Sequence, residues 1–119
     1  MPAAQARRPD PARIAILDDA SEATRHLLWA AFRKRLRELG YVEGRDVSIE
    51  ARFAGGNPDR LARLAAELVA SKPDVLVVVT TTAAVAARKA TSKIPIVAVG
   101  PAAIRLIEVF RTLGERVGP

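Results

Sequence analysis

A doubly wound, parallel α/β sheet is the fold class this sequence predicts, and three observations carry the prediction. Short apolar runs alternate with helix-patterned stretches along the whole chain. Val75 to Val79 is an unbroken aliphatic run, as a central parallel strand covered on both faces requires. Start and stop signals fall between the runs: Ser21, Gly40, Asn57-Pro58 and Lys72-Pro73. The resulting order, βαβαβαβα, gives a parallel sheet with right-handed crossovers and helices on both faces, three layers in all.

Arg13 to Asp19 reads as a buried first strand ending in two carboxylates. Ser21 can cap the helix that follows. In that helix Leu28, Phe32, Leu36 and Leu39 recur at helical spacing and should face the core. Gly40 ends the helix, because glycine tolerates the left-handed backbone of a helix exit. Asp46 to Phe53 alternates Val47, Ile49, Ala51 and Phe53 against Ser48, Glu50 and Arg52, which suits an edge strand.

Gly55-Gly56 turns the chain, Asn57 caps a second helix, and Pro58 stands where a missing N–H costs nothing. Leu61, Leu64, Ala65 and Leu68 form the inner face of that helix, and Lys72-Pro73 stops it. After the third strand an alanine-rich helix runs to about Thr91. Ile94 to Val99 is a fourth strand closed by Gly100-Pro101, and Ala102 to Val117 reads as a last helix. With the alternating strand at an edge and strands one and three inside, the order is 2-1-3-4.

The chain has 119 residues, half of them apolar, so residues 13–119 form one α/β unit with a real core. Residues 1–12, rich in Pro, Ala and Arg, read as a flexible leader without the apolar stretch of a signal peptide. No segment approaches the ~18–20 apolar residues of a membrane span. The absence of cysteine removes disulfides and thiolate chemistry, and the lone His26 cannot build a histidine metal cluster. Neither a metal nor a cofactor is expected.

The net charge of +6 includes the run Arg33, Lys34, Arg35 and Arg37. These residues flank Phe32 and Leu36, which makes them the wet side of an amphipathic helix rather than a nucleic-acid surface. No nucleic-acid partner is expected.

Ligands of open α/β sheets bind beyond the carboxyl ends of the strands, where strand order reverses. That crevice falls between strands one and three. Its walls are Asp18, Asp19, Ala20 and Ser21 on one side and Thr80, Thr81 and Thr82 on the other, with Gly100 alongside. Threonines that open a helix bring free backbone N–H groups and hydroxyl donors, suited to a carboxylate or phosphate. The competing reading is that Thr81 or Thr82 caps its own helix, and both roles are compatible.

Asp18-Asp19 resembles the acidic pocket of a response-regulator receiver, but Thr80 stands where the phosphoaccepting aspartate would be. The first turn, LDDASEA, lacks the glycines of a nucleotide-binding loop. No nucleophile–base pair is evident, so an enzyme is not expected.

The segments LRELGYVEG, IEARFAGGNPDRL, AAELVASKPDV and ARKATSKIPIV resemble the amino-terminal lobe of ABC-transporter substrate-binding proteins of the tryptophan/tyrosine-binding type, over roughly residues 13–101. The resemblance implies one lobe of a type I periplasmic-binding-protein-like fold and no catalysis. It implies a small amino-acid-like ligand, held at Ala20, Ser21, Thr81 and Thr82, to which the crevice reading adds Thr80 and Gly100. A transporter permease becomes the implied partner and the periplasm the implied location, with the cytoplasm expected instead if Met1 is the native start.

The chain carries one lobe's worth of strands, which implies weak ligand binding or none, because closure from two sides is what excludes water. An exposed aliphatic fourth strand would favour a homodimer through that edge or the last helix. A cytosolic interaction or regulatory module without a ligand, and a receiver-like signalling domain, are the alternatives.

Overall fold

A computed structural model describes residues 10–99. Four parallel strands lie in the order β2-β1-β3-β4. They are β1 (Ala12–Asp18), β2 (Val47–Phe53), β3 (Val75–Val78) and β4 (Ile96–Ala98). Three helices connect them: α1 (Glu22–Glu38), α2 (Pro58–Ala70) and α3 (Thr81–Ala90). The expected strand order and doubly wound arrangement are therefore those of the structure. Gly100 and the expected last helix lie outside the described residues.

Two cores sandwich the sheet, divided by the period-two alternation of the strands. Ile14, Ile16, Val75, Val77, Val97 and Val47 point to the α1 side and pack with Trp29, Phe32 and Leu36. Ala15, Leu17, Leu76 and Val78 point to the other side and pack with Leu61, Ala65 and Leu68 of α2 and Ala83 and Ala87 of α3. The α1 layer is aromatic, with Trp29 and Phe32 edge to face at 5.6 Å. The α2–α3 layer contacts the sheet through alanine and leucine.

The helix boundaries follow their caps. Ser21 Oγ accepts from Thr24 N at 3.1 Å. Asn57 Oδ1 accepts from the amides of Asp59 and Arg60, with Pro58 at the first turn. Lys72, at φ +56, turns the chain out of α2 with a left-handed backbone that a side chain seldom adopts.

The inner face of α1 keeps helical spacing and adds a residue the apolar pattern passed over. Trp29, Phe32 and Leu36 are buried at i, i+3 and i+7, Leu28 is half-buried against the same core, and Leu39 is 42% exposed as the C-cap residue. Trp29 has a partner that periodicity does not show. Trp29 Nε1 donates to the buried Asp18 carboxylate at 2.8 Å, which lets the indole enter the core with its N–H satisfied.

β2 is the edge strand, and its residues from Ser48 to Phe53 are half-buried. Its Ile49, Ala51 and Phe53 pack toward the α1 core, as the alternation predicts. β3 and β4 are shorter than their apolar runs: Val79 follows β3, and Ile94, Pro95 and Val99 flank β4. His26 is exposed on α1, its Nδ1 3.1 Å from Ala23 O. Arg33 and Arg35 pair with Glu43 and Glu38 at 3.2 and 3.3 Å on the wet side of the same helix.

Candidate functional site

The turns after β1 and β3 meet at one end of the sheet, because β1 and β3 are parallel neighbours. Parallel pairing forces both following helices to start at that end. The first-turn amides of α1 and α3 therefore open on the same crest, with the positive ends of both dipoles there. A hydrogen bond joins the turns: Thr80 Oγ1 donates to Asp19 Oδ1 at 2.9 Å.

The same Thr80 oxygen accepts from Ala83 N at 3.1 Å. Thr80 is thus the cap of α3, and the cap expected at Thr81 or Thr82 lies one residue earlier. Thr80 is half-buried, whereas Thr81 and Thr82 are exposed in the first turn. Ser21 is also committed to its own helix, since its hydroxyl donates to Thr24 Oγ1 at 2.9 Å while capping. Ala20 and Ser21 stand half-buried beside Asp19.

The two carboxylates differ sharply. Asp18, expected on the crevice wall, is fully buried and faces inward. Ala20 N donates to its Oδ1 at 3.0 Å, Trp29 Nε1 to its Oδ2, and Arg25 Nε lies 3.1 Å from that Oδ2. It ties β1, the following turn and α1 together, which is a scaffold role. Asp19 keeps 29% of its side chain exposed. Arg25 reaches it only at 3.8 Å, with the guanidinium already engaged by Asp18.

The turn after β2 buttresses the first loop from the other side. Gly56 N donates to Asp19 O at 2.7 Å and Gly55 N to Ala20 O at 3.1 Å. Positive φ at both glycines, +62 and +84, aims these amides at the loop, and glycine accepts that geometry without strain. The carbonyls of Asp19 and Ala20 are thereby consumed. The loop presents side chains and helix amides to the crest.

Among the described residues, surface grooves also lie elsewhere. One of about 460 Å³ runs along β2 past Arg13, Ser48, Glu50, Arg52 and Ser71. Another of about 490 Å³ borders β4 at Arg88, Thr91, Ile94 and Ile96. A third of about 360 Å³ sits between α2 and α3 at Ala62, Ala66, Val85 and Ala86. In the first, Arg52 and Glu50 pair with each other at 2.8 Å. The crest has two helix N-termini and a polar bridge, which makes it the stronger candidate.

Among the described residues no group of three or more His, Cys, Asp or Glu side chains gathers in metal-binding geometry. No described helix is long and apolar enough to cross a membrane.

A family model described as ABC transporter substrate binding protein matches residues 13–118. The chain belongs to that family. Solved structures agree. An ABC domain in complex with L-Trp from Streptococcus pneumonia superposes with a TM-score of 0.67 at 27% identity, covering 76% of this chain and 30% of that one.

A conserved domain protein from Vibrio cholerae gives 0.66 at 30% identity, over 75% of this chain and 29% of that one. The open, ligand-free form of a substrate binding protein with adhesive properties from Clostridium difficile gives 0.65 at 24% identity, over 75% and 30%, and shows the shared fold. No curated protein sequence matches the chain. The chain spans about 30% of the length of the solved relatives, as part of a lobe does.

The family is one of substrate-binding proteins rather than enzymes, and its members typically face the periplasm or the cell exterior.

Proposed function

We propose that this chain supplies one wall of a solute-binding cleft that holds a small amino-acid-like ligand for an ABC transporter permease. The observation that carries the reading is the joined crest: two helix N-termini on adjacent parallel strands, bridged by Asp19 and Thr80. Ligand contacts fall to Ala20, Ser21, Thr81 and Thr82, and Gly100, outside the described residues, is the further expected contact. Thr80 holds the turn in shape through its two hydrogen bonds. L-Trp in the Streptococcus pneumonia relative supports an amino acid as the ligand class.

Binding by this stretch alone is weak, because one wall leaves the ligand open to water. The site of action is the periplasm or the outer face of the membrane, where the permease is met. Self-association through the β4 edge belongs to the same reading, since among the described residues β4 pairs only with β3. Light scattering that reads a monomer at micromolar concentration would remove that part.

Thermal-shift titration of the full chain with L-tryptophan, other amino acids and small anions tests the binding. A dose-dependent rise in Tm is expected for amino acids. No shift at millimolar concentration across the panel would refute a ligand-holding role.

A further inference from the structure

We propose that Asp19 selects the charge of whatever enters this crevice, admitting an ammonium group and turning away a carboxylate; this rests on the crest being the ligand site. A helix N-terminus by itself favours an anion. Here the α3 N-terminus already has one. Asp19 Oδ1 takes the Thr80 hydroxyl hydrogen at 2.9 Å, and the Thr80 oxygen is occupied by Ala83 N. The chain's own carboxylate thus stands where a ligand's carboxylate would seek its first donor.

Neighbouring charges sharpen the effect. Arg25 is shared, with its Nε on Asp18 and its Nη2 3.8 Å from Asp19. Two carboxylates therefore face one guanidinium at the end of β1. Glu22 adds a third carboxylate in the first turn of α1, and Arg60 lies past the β2 turn, its Nη1 3.6 Å from where a Cβ on Gly55 would stand. Among the described residues the side-chain contacts of Asp19 with Thr80 and Arg25 both fall on Oδ1, which leaves Oδ2 as an acceptor on a side chain that is 29% exposed. An ammonium can meet it, while a second carboxylate there meets like charge in a partly desolvated crevice.

For an amino acid the inference fixes orientation. The amine end lies toward Asp19, and the acid end lies away from it, toward the exposed Thr81 and Thr82 hydroxyls and the far side of the cleft.

The test is isothermal titration of the full chain and its Asp19→Asn variant with tryptamine and with indole-3-propionate. These probes share the ring and carry opposite charges. Asparagine keeps an acceptor for Thr80, and an unchanged Tm and amide spectrum confirm that the variant is folded. The wild type should bind tryptamine, and the variant should bind it about tenfold more weakly. Indole-3-propionate should bind the wild type at least about tenfold more weakly than it binds the variant.

Equal affinity of each probe for wild type and variant, or tighter acid than amine binding by the wild type, overturns the selection while leaving the crest as a ligand site. No binding of either probe by either protein overturns both.

Discussion

Asp18 and Asp19 are adjacent in the chain and opposite in role. The first is wholly enclosed, with a backbone amide, an indole N–H and a guanidinium on its oxygens. The second bridges two turns at the rim and keeps almost a third of its side chain exposed. A carboxylate inside the protein must be fully satisfied, and then it holds the fold. One at the rim can keep an oxygen in reserve, and then it can meet a ligand. The end of the strand produces the difference: Asp18 is the last residue of β1 and turns into the covered sheet, whereas Asp19 lies in the turn beyond it.

The contrast breaks most visibly at the buried member. Asp18→Ala leaves the Trp29 N–H without its acceptor in the core and strands Arg25 beside Asp19 alone. We expect a loss of about 3 kcal/mol or more in urea unfolding. Asp19→Ala should cost less than about 1 kcal/mol, because its bonds are at the surface. Similar losses for the two would end the division between scaffold and site.

Asp46 provides a second scaffold carboxylate at the opposite end of the sheet, before β2. Its burial pushes the pKa up, but Val42 N at 2.8 Å and the guanidinium of Arg45 at 3.1 Å outweigh burial and hold it below the ordinary 3.8. A carboxyl group depressed in the folded state contributes stability above its unfolded pKa and loses it as pH falls through the folded one. Asp46→Asn should therefore weaken the fold at pH 6 and flatten the decline of stability with acid below about pH 4. An acid limb as steep as that of the wild type would contradict the assignment.

Trp29→Phe sharpens the same comparison with a smaller effect. The ring stays in the core, so the expected cost of about 1–2 kcal/mol is that of the lost indole donor. At the rim, Thr81→Ala and Thr82→Ala should change stability by less than about 0.5 kcal/mol, since both side chains are exposed and Thr80 holds the cap. Their effect should show instead as weakened ligand binding in the thermal-shift titration.

Much of the fold was legible in the residues because each element carried its own punctuation. Asn57-Pro58 opened α2 where the cap bonds now lie, and the unbroken aliphatic run placed β3 at the centre of the sheet. Spacing admits Trp29 to the core beside Phe32 and Leu36, at i, i+3 and i+7, but does not show the carboxylate eleven residues earlier that accepts its N–H. Such long-range polar pairing leaves no local pattern.

The candidate site was legible in position and less so in chemistry. Strand order brought the first and third turns together, and the family resemblance pointed to the same residues. That Thr80 and Asp19 bond each other, and that Asp18 turns inward, depended on side-chain geometry across sixty-one positions of chain in the first case and on burial in the second.

The central claim is that ligand enters at the crest between the turns after β1 and β3. Amide chemical shifts of the isotope-labelled full chain, followed as L-tryptophan is added, test it most directly. The account predicts saturable shifts concentrated at Ala20, Ser21, Thr81 and Thr82. Shifts confined to the groove along β2, at Arg13, Ser48 and Glu50, would contradict it.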